Sequence, residues 1–112
     1  MKVSELVTQL GLKIHGGRSG LDREITGGYT SDLLSDVMGH ANAGKIWITL
    51  QTHKNVMAIA SLKELAAVVL VKGYEPEVDM QLQSDIEAVP VLGTTEEAFE
   101  ISGKIYKLLD SK

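Results

Sequence analysis

Lys45-Ile46-Trp47-Ile48-Thr49-Leu50, Ala67-Val68-Val69-Leu70-Val71 and Val89-Pro90-Val91-Leu92 are three short, apolar, β-branched runs, and the stretch 45–92 that carries them decides the fold. Each has strand length and lacks the polar alternation of a half-wet strand, so each reads as a strand buried on both faces. Between the first two, Asn55 to Leu65 is rich in Ala, Met, Leu and Lys and too long for a typical strand, which predicts a helix. Between the second and third, Val78, Leu82 and Ile86 step by four after Glu75-Pro76, which predicts another helix with Pro76 in its first turn. Beyond the third, Thr94-Thr95-Glu96-Glu97 has the pattern of a capping box, with Thr94 as N-cap and Glu97 at N3. Ala98, Ile101, Ile105 and Leu108 then form one apolar helical stripe.

Strands alternating with helices imply right-handed crossovers, hence an α/β fold with a mostly parallel sheet flanked by helices. In such sheets ligands bind beyond the carboxyl ends of the strands, where helix N-termini face outward. The junctions 51–54, 72–75 and 93–95 are therefore expected to open on one shared rim.

The front half is looser. Val3, Leu6, Val7 and Leu10 follow helical spacing, with Ser4 as a cap and Gly11 as the stop. Leu12 to His15 and Ile25 to Thr30 read as two further strands. From Ser31 on, Leu33, Leu34, Val37 and Met38 share one helical face that Gly39 closes. Eight of the eleven glycines fall before residue 45, so turns concentrate there. No linker or repeat divides the chain, and one domain, 1–112, is expected.

Charge and composition narrow the function. Eleven Lys+Arg against 15 Asp+Glu give a net charge of −4, which offers nucleic acid no general attraction. The five aromatics, Tyr29, Trp47, Tyr74, Phe99 and Tyr106, are scattered and no basic stripe accompanies them. The absence of Cys excludes disulfides, thiolate nucleophiles and sulfur-ligated metals. No apolar run is long enough for a membrane span, and the N-terminus lacks the pattern of a signal peptide, so a cytoplasmic protein is expected.

Several motifs have plain readings. Gly39-His40-Ala41-Asn42-Ala43-Gly44-Lys45 matches seven positions of a phosphate-binding P-loop, but Ile46 stands where Ser or Thr would bind magnesium. It also follows a helix and opens a strand, the reverse of that motif's setting. No G-x-G-x-x-G occurs, and His15, His40 and His53 are too far apart for a local metal site. Asp32 and Asp36, at i and i+4, are one helical turn apart and suit Mg²⁺ with water, or simply a helix start and a solvated face. No metal or cofactor is assigned.

Leu21 to Asp32 differs, because it joins the charged pair Asp22-Arg23 to Gly27-Gly28 and to several hydroxyls. One reading makes the glycines a wall against a ligand, with Arg23 for a phosphate or carboxylate. The other makes Asp22 and Arg23 a turn brace. With Ser31 to Met38, Trp47-Ile48-Thr49, Gln51-Thr52-His53 and Asn55, these residues resemble the DRTGG domain family over about residues 3 to 109, with Glu24 and Ile25 between Arg23 and Thr26.

That resemblance implies a fold similar to the N-terminal domain of HPr kinase/phosphorylase and, more distantly, to N-terminal domains of Mur ligases. It also implies the regulatory role such domains have in CBS-domain pyrophosphatases and phosphotransacetylases. Ending at Lys112, without a kinase or acyltransferase domain, the chain would be a stand-alone version acting through binding, not catalysis. The expected activity is a regulatory or ligand-sensing domain holding an anionic metabolite or nucleotide. Its contacts are expected at Asp22, Arg23, Gly27, Gly28, Thr52, His53, Lys54, Gly73 and Thr94. The alternative is a homodimerisation or partner-enzyme docking module, with Met38, Trp47, Val56 and Met57 in an exposed patch.

Overall fold

In the computed structural model, which describes residues 1–111, the apolar runs at the rear of the chain form the middle of a five-stranded sheet. Lys112, the last residue of the expected domain, lies outside the described residues. The strands are β1 (Lys13–Gly16), β2 (Gly27–Thr30), β3 (Lys45–Thr49), β4 (Ala67–Leu70) and β5 (Val91–Gly93), in the order β1-β5-β4-β3-β2. Strands β2 to β5 are parallel and β1 pairs antiparallel with β5. The helices are α1 (Val3–Leu10), α2 (Leu34–His40), α3 (Asn55–Leu62), α4 (Val78–Glu87) and α5 (Ala98–Asp110).

Alternate residues of the central strands feed two cores. Ile46, Ile48, Ala67, Val69 and Leu92 pack with Val3 and Leu6 of α1 and Ile101 and Ile105 of α5. Trp47, Val68, Leu70 and Val91 pack with Val37 of α2, Val56, Met57 and Ala60 of α3, and Met80 of α4. The α/β class with a mostly parallel, helix-flanked sheet is thus the observed one. Trp47, Val56 and Met57 are fully buried, which removes them from any exposed patch. Trp47 anchors its strand further by donating its indole N–H to the Ser31 carbonyl at 2.8 Å.

Several element ends differ from expectation. Helix α1 is capped at Lys2, so Ser4 lies inside it, and the Glu5 carboxylate accepts the Lys2 N–H at 2.9 Å. Helix α2 runs through Gly39 to His40. Helix α4 starts at Val78, after an extended Glu77, which leaves Pro76 outside its first turn. Helix α5 starts at Ala98, because Thr94 is still tied into the sheet through its N–H to the Leu70 carbonyl at 3.0 Å. The Thr94 hydroxyl accepts the Glu96 N–H at 3.2 Å in a turn ahead of the helix.

Three helices stop alike, with one left-handed residue and a bond from the next N–H back over the last turn. These are Gly11 with Leu12 N–H to Val7 O, Glu64 with Leu65 N–H to Ala60 O, and Ala88 with Val89 N–H to Ser84 O. Sequence marks only the first, since Glu and Ala carry no stop signal, and α3 accordingly ends at Leu62 and not at Leu65.

Residues 17–26 link the two edge strands by running along the rim at the amino ends of the parallel strands. Along that path Thr26 N–H reaches Gly44 O at 2.9 Å, and Arg23 lies under the carbonyl end of α4. The Arg23 Nε donates to Ala88 O at 2.8 Å, with its terminal nitrogens 3.4 Å from Glu87 O and 3.5 Å from Leu65 O. A cation at a helix C-terminus also opposes the helix dipole. Gly17 and Gly20 permit the close pass: a side-chain carbon on either would collide with the carbonyl of Val89 or Ala88.

Two substitutions test this underside. Gly20→Ala is expected to destabilise by about 1–3 kcal/mol through overpacking. Arg23→Ala is expected to destabilise by about 1–3 kcal/mol by removing the donor from partly buried carbonyls. Urea denaturation at neutral pH reads both; midpoints equal to that of the unsubstituted chain would contradict the assignment.

Candidate functional site

The junctions after β3, β4 and β5 do share one rim, and the main chain stitches them together. Glu77 N–H donates to Thr52 O at 3.0 Å, Gly73 N–H to Thr94 O at 2.8 Å and Lys72 N–H to Glu96 O at 2.8 Å. Those donors are thereby engaged with protein acceptors. The expected cradle of free main-chain N–H groups is correspondingly reduced.

The nine residues expected at one site divide between opposite ends of the sheet. Thr52, His53, Lys54, Gly73 and Thr94 lie at the carboxyl rim; Asp22, Arg23, Gly27 and Gly28 lie at or near the amino rim, roughly 13 Å or more away along a four-residue strand. Arg23 serves as the brace described above, and Asp22 is exposed beside it. Gly27 and Gly28 open β2 and line a groove of 650 Å³ between that edge strand and α5, with Lys45, Phe99, Gly103 and Tyr106. His53 donates from Nδ1 to Glu77 Oε2 at 2.7 Å, and Lys54 immediately precedes α3.

Gly73 and Thr94 line a second cavity of 350 Å³ on the carboxyl rim, a size within the range of small-molecule sites. Its other wall comes from Leu10 and Gly11 at the end of α1 and from Lys13 and His15 of β1. Sequence reasoning missed these residues, because nothing local says that β1 lies antiparallel beside β5 and so brings its first residues to the carboxyl rim. Lys13 faces Gly93 in that register.

The cavity carries both signs of charge. Lys13 Nζ is 3.8 Å from Glu75 Oε1, with both side chains exposed, while Glu96 Oε1 accepts from Lys104 Nζ at 2.8 Å. The His15 imidazole lies against Gly93, whose missing side chain leaves room for the ring. Burial, reinforced by the Lys13 charge, pushes its pKa below the usual 6.5 against an opposing pull from Glu75. His15 is therefore mostly neutral at pH 7, a polar wall whose charged form an anion would favour.

The two aspartates considered for metal are engaged separately. Asp32 Oδ1 accepts Thr49 Oγ1–H and Leu50 N–H, each at 2.9 Å, and its carbonyl accepts from Gln51 Nε2 at 2.9 Å. This ties the start of α2 to the end of β3. Asp36 accepts the Tyr29 hydroxyl at 2.9 Å and lies 3.2 Å from His40 Nδ1. Hydrogen bonds from the Tyr29 and Ser31 hydroxyls, with His40 nearby, hold the Asp36 carboxyl below its ordinary pKa. No cluster of three or more His, Asp or Glu suited to a metal occurs among the described residues. No helix among them is long and apolar enough to cross a membrane.

No family profile and no curated protein sequence matches the chain. Among solved structures, its fold is similar to that of the CBS and DRTGG domains of the regulatory region of Clostridium perfringens pyrophosphatase, crystallised with the activator diadenosine tetraphosphate. The TM-score is 0.73 at 11% sequence identity, and the likeness covers 94% of this chain and 46% of that one. The chain thus spans about half the length of that regulatory region and shares the fold of the part it matches.

Proposed function

We propose that this chain is a DRTGG-type regulatory domain, a non-catalytic unit that works in the cytoplasm by sensing an anionic metabolite or nucleotide. The observation that carries this reading is the 350 Å³ cavity lined by the strand-to-helix junctions after β4 and β5 on the carboxyl rim. A similar fold within a nucleotide-activated regulatory region supports it. Lys13 supplies the positive charge, Thr94 and Thr95 supply hydroxyls, and His15 supplies a ring that an approaching phosphate favours in its charged form. Thr52, His53 and Lys54 extend the same rim and offer a further anion contact.

A second reading has its own observation. Phe99 and Tyr106 are 84% and 72% exposed on α5, beside the groove along β2, an edge strand with an unpaired side. A homodimer or partner-enzyme interface there would cover both rings and the strand edge. Light scattering over a dilution series distinguishes it: a dimer that dissociates on Phe99→Ser supports this reading, and a monomer at every concentration removes the homodimer.

Thermal denaturation with AMP, ATP, diadenosine tetraphosphate and a UDP-sugar tests the first reading. Ligand at about a hundred times its Kd adds roughly 2.7 kcal/mol of stability, and Lys13→Glu is expected to weaken binding about tenfold. No shift with any of these probes overturns the assignment.

His15 gives a pH signature. Its folded pKa lies below the unfolded value of 6.5, so the unfolded chain binds more protons and stability falls as pH drops from 6.5 toward the folded pKa. His15→Gln is expected to flatten that part of the stability profile, as followed by urea denaturation between pH 5 and 7 (about one and a half units below the usual His pKa to half a unit above it). An unchanged slope contradicts the assigned direction.

A further inference from the structure

Val78, Leu82 and Ile86 are spaced like a buried helical stripe, yet they are 74%, 58% and 74% exposed, while Met80 and Ser84 hold α4 against the sheet. The three residues run about 12 Å along the helix. The Ser61 hydroxyl bonds Glu87 Oε1 at 2.9 Å, which sets the end of α3, with Leu62 68% exposed, beside the end of α4. Lys63 and Glu64 follow Leu62 and offset each other in charge.

The charges around this stripe are one-sided. Helix α4 and the loop before it, from Gly73 to Glu87, have five carboxylates and no Lys, Arg or His; of these, Glu75 pairs with Lys13 and Glu77 with His53, which leaves Asp79, Asp85 and Glu87 on the helix itself. At 100° per residue, Asp79 borders the stripe on one side and Asp85 on the other.

From this we infer that α4 docks a partner protein through a basic amphipathic helix, whose aliphatic residues cover Val78, Leu82 and Ile86 and whose Lys or Arg flanks meet Asp79 and Asp85. Charge complementarity selects that occupant. A second copy of α4 would set carboxylates against carboxylates, and an anionic membrane would be repelled by the same borders. The surface is separate from the carboxyl-rim cavity and stands whether or not that cavity binds a nucleotide.

Fluorescence anisotropy with a labelled amphipathic Leu/Lys peptide, matched against a Ser/Lys peptide of equal charge and a Leu/Glu peptide, tests the inference on the full chain. Binding of the Leu/Lys peptide is expected to weaken at least tenfold in L82S/I86S, and to weaken also in Asp79→Lys. The other two peptides are expected to bind at least tenfold more weakly, and amide NMR shifts are expected to map to α4. Both serine positions are exposed, so thermal denaturation should show a folded variant. Equal binding to the unsubstituted chain and L82S/I86S, shifts that map elsewhere, or equal binding of all three peptides overturns the inference. So does a dimer lost in L82S/I86S, or binding of the unsubstituted chain to phosphatidylserine vesicles.

Discussion

Burial of the central strands on both faces is the constraint from which the rest of the structure follows. Ile46, Trp47, Ile48, Val68, Val69, Val91 and Leu92 leave no face of β3, β4 or β5 that water can cover. Parallel neighbours cannot be joined by tight hairpins, so each connection crosses with a helix, and α2, α3 and α4 cover one side. Covering the other side requires α1 and α5, which come from the two ends of the chain. The carboxyl rim with its cavity is a geometric product of that arrangement.

The opposite rim explains the glycine-rich front half. Helix α4 ends with carbonyls that have no partner within the helix, and the link from β1 to β2 passes directly beneath them. Gly17 and Gly20 make room, the Asp85 carboxylate accepts the Gly17 N–H at 2.7 Å, and Arg23 donates to the last carbonyls. A single physical problem, satisfying a helix end that a crossing strand connection covers, accounts for Gly17, Gly20 and Arg23. Between Leu21 and Asp32, Arg23, Thr26 and Asp32 brace the fold, while Gly27 and Gly28 border the groove along α5.

Distinct surfaces of the fold carry distinct chemistry. The carboxyl rim offers polar contacts and a half-buried neutral histidine, the α5 groove offers exposed aromatic rings, and α4 offers aliphatic residues with acidic borders. A binding domain that relays the occupancy of one surface to another would use such a division. Hydrogen bonds such as Glu77 N–H to Thr52 O link the loop before α4 to the junction after β3 and run through the same rim.

Sequence by itself determined the strands β3, β4 and β5, the helices between them, the α/β class and the shared rim of the junctions, because apolar period and run length are local properties. It also marked the apolar stripe of α5, where Ile101 and Ile105 are buried and Ala98 and Leu108 pack against the same core, whereas the equally regular stripe of α4 faces outward. Tertiary structure alone decided the rest. The antiparallel place of β1 beside β5 brought Lys13 and His15 to the rim, and the covered end of α4 drew Arg23 away from it. Glu64 and Ala88 ended helices without a stop residue, and Thr94 stayed in the sheet instead of capping α5. These outcomes depend on which distant backbone groups need a partner, and that need arises only when the layers pack.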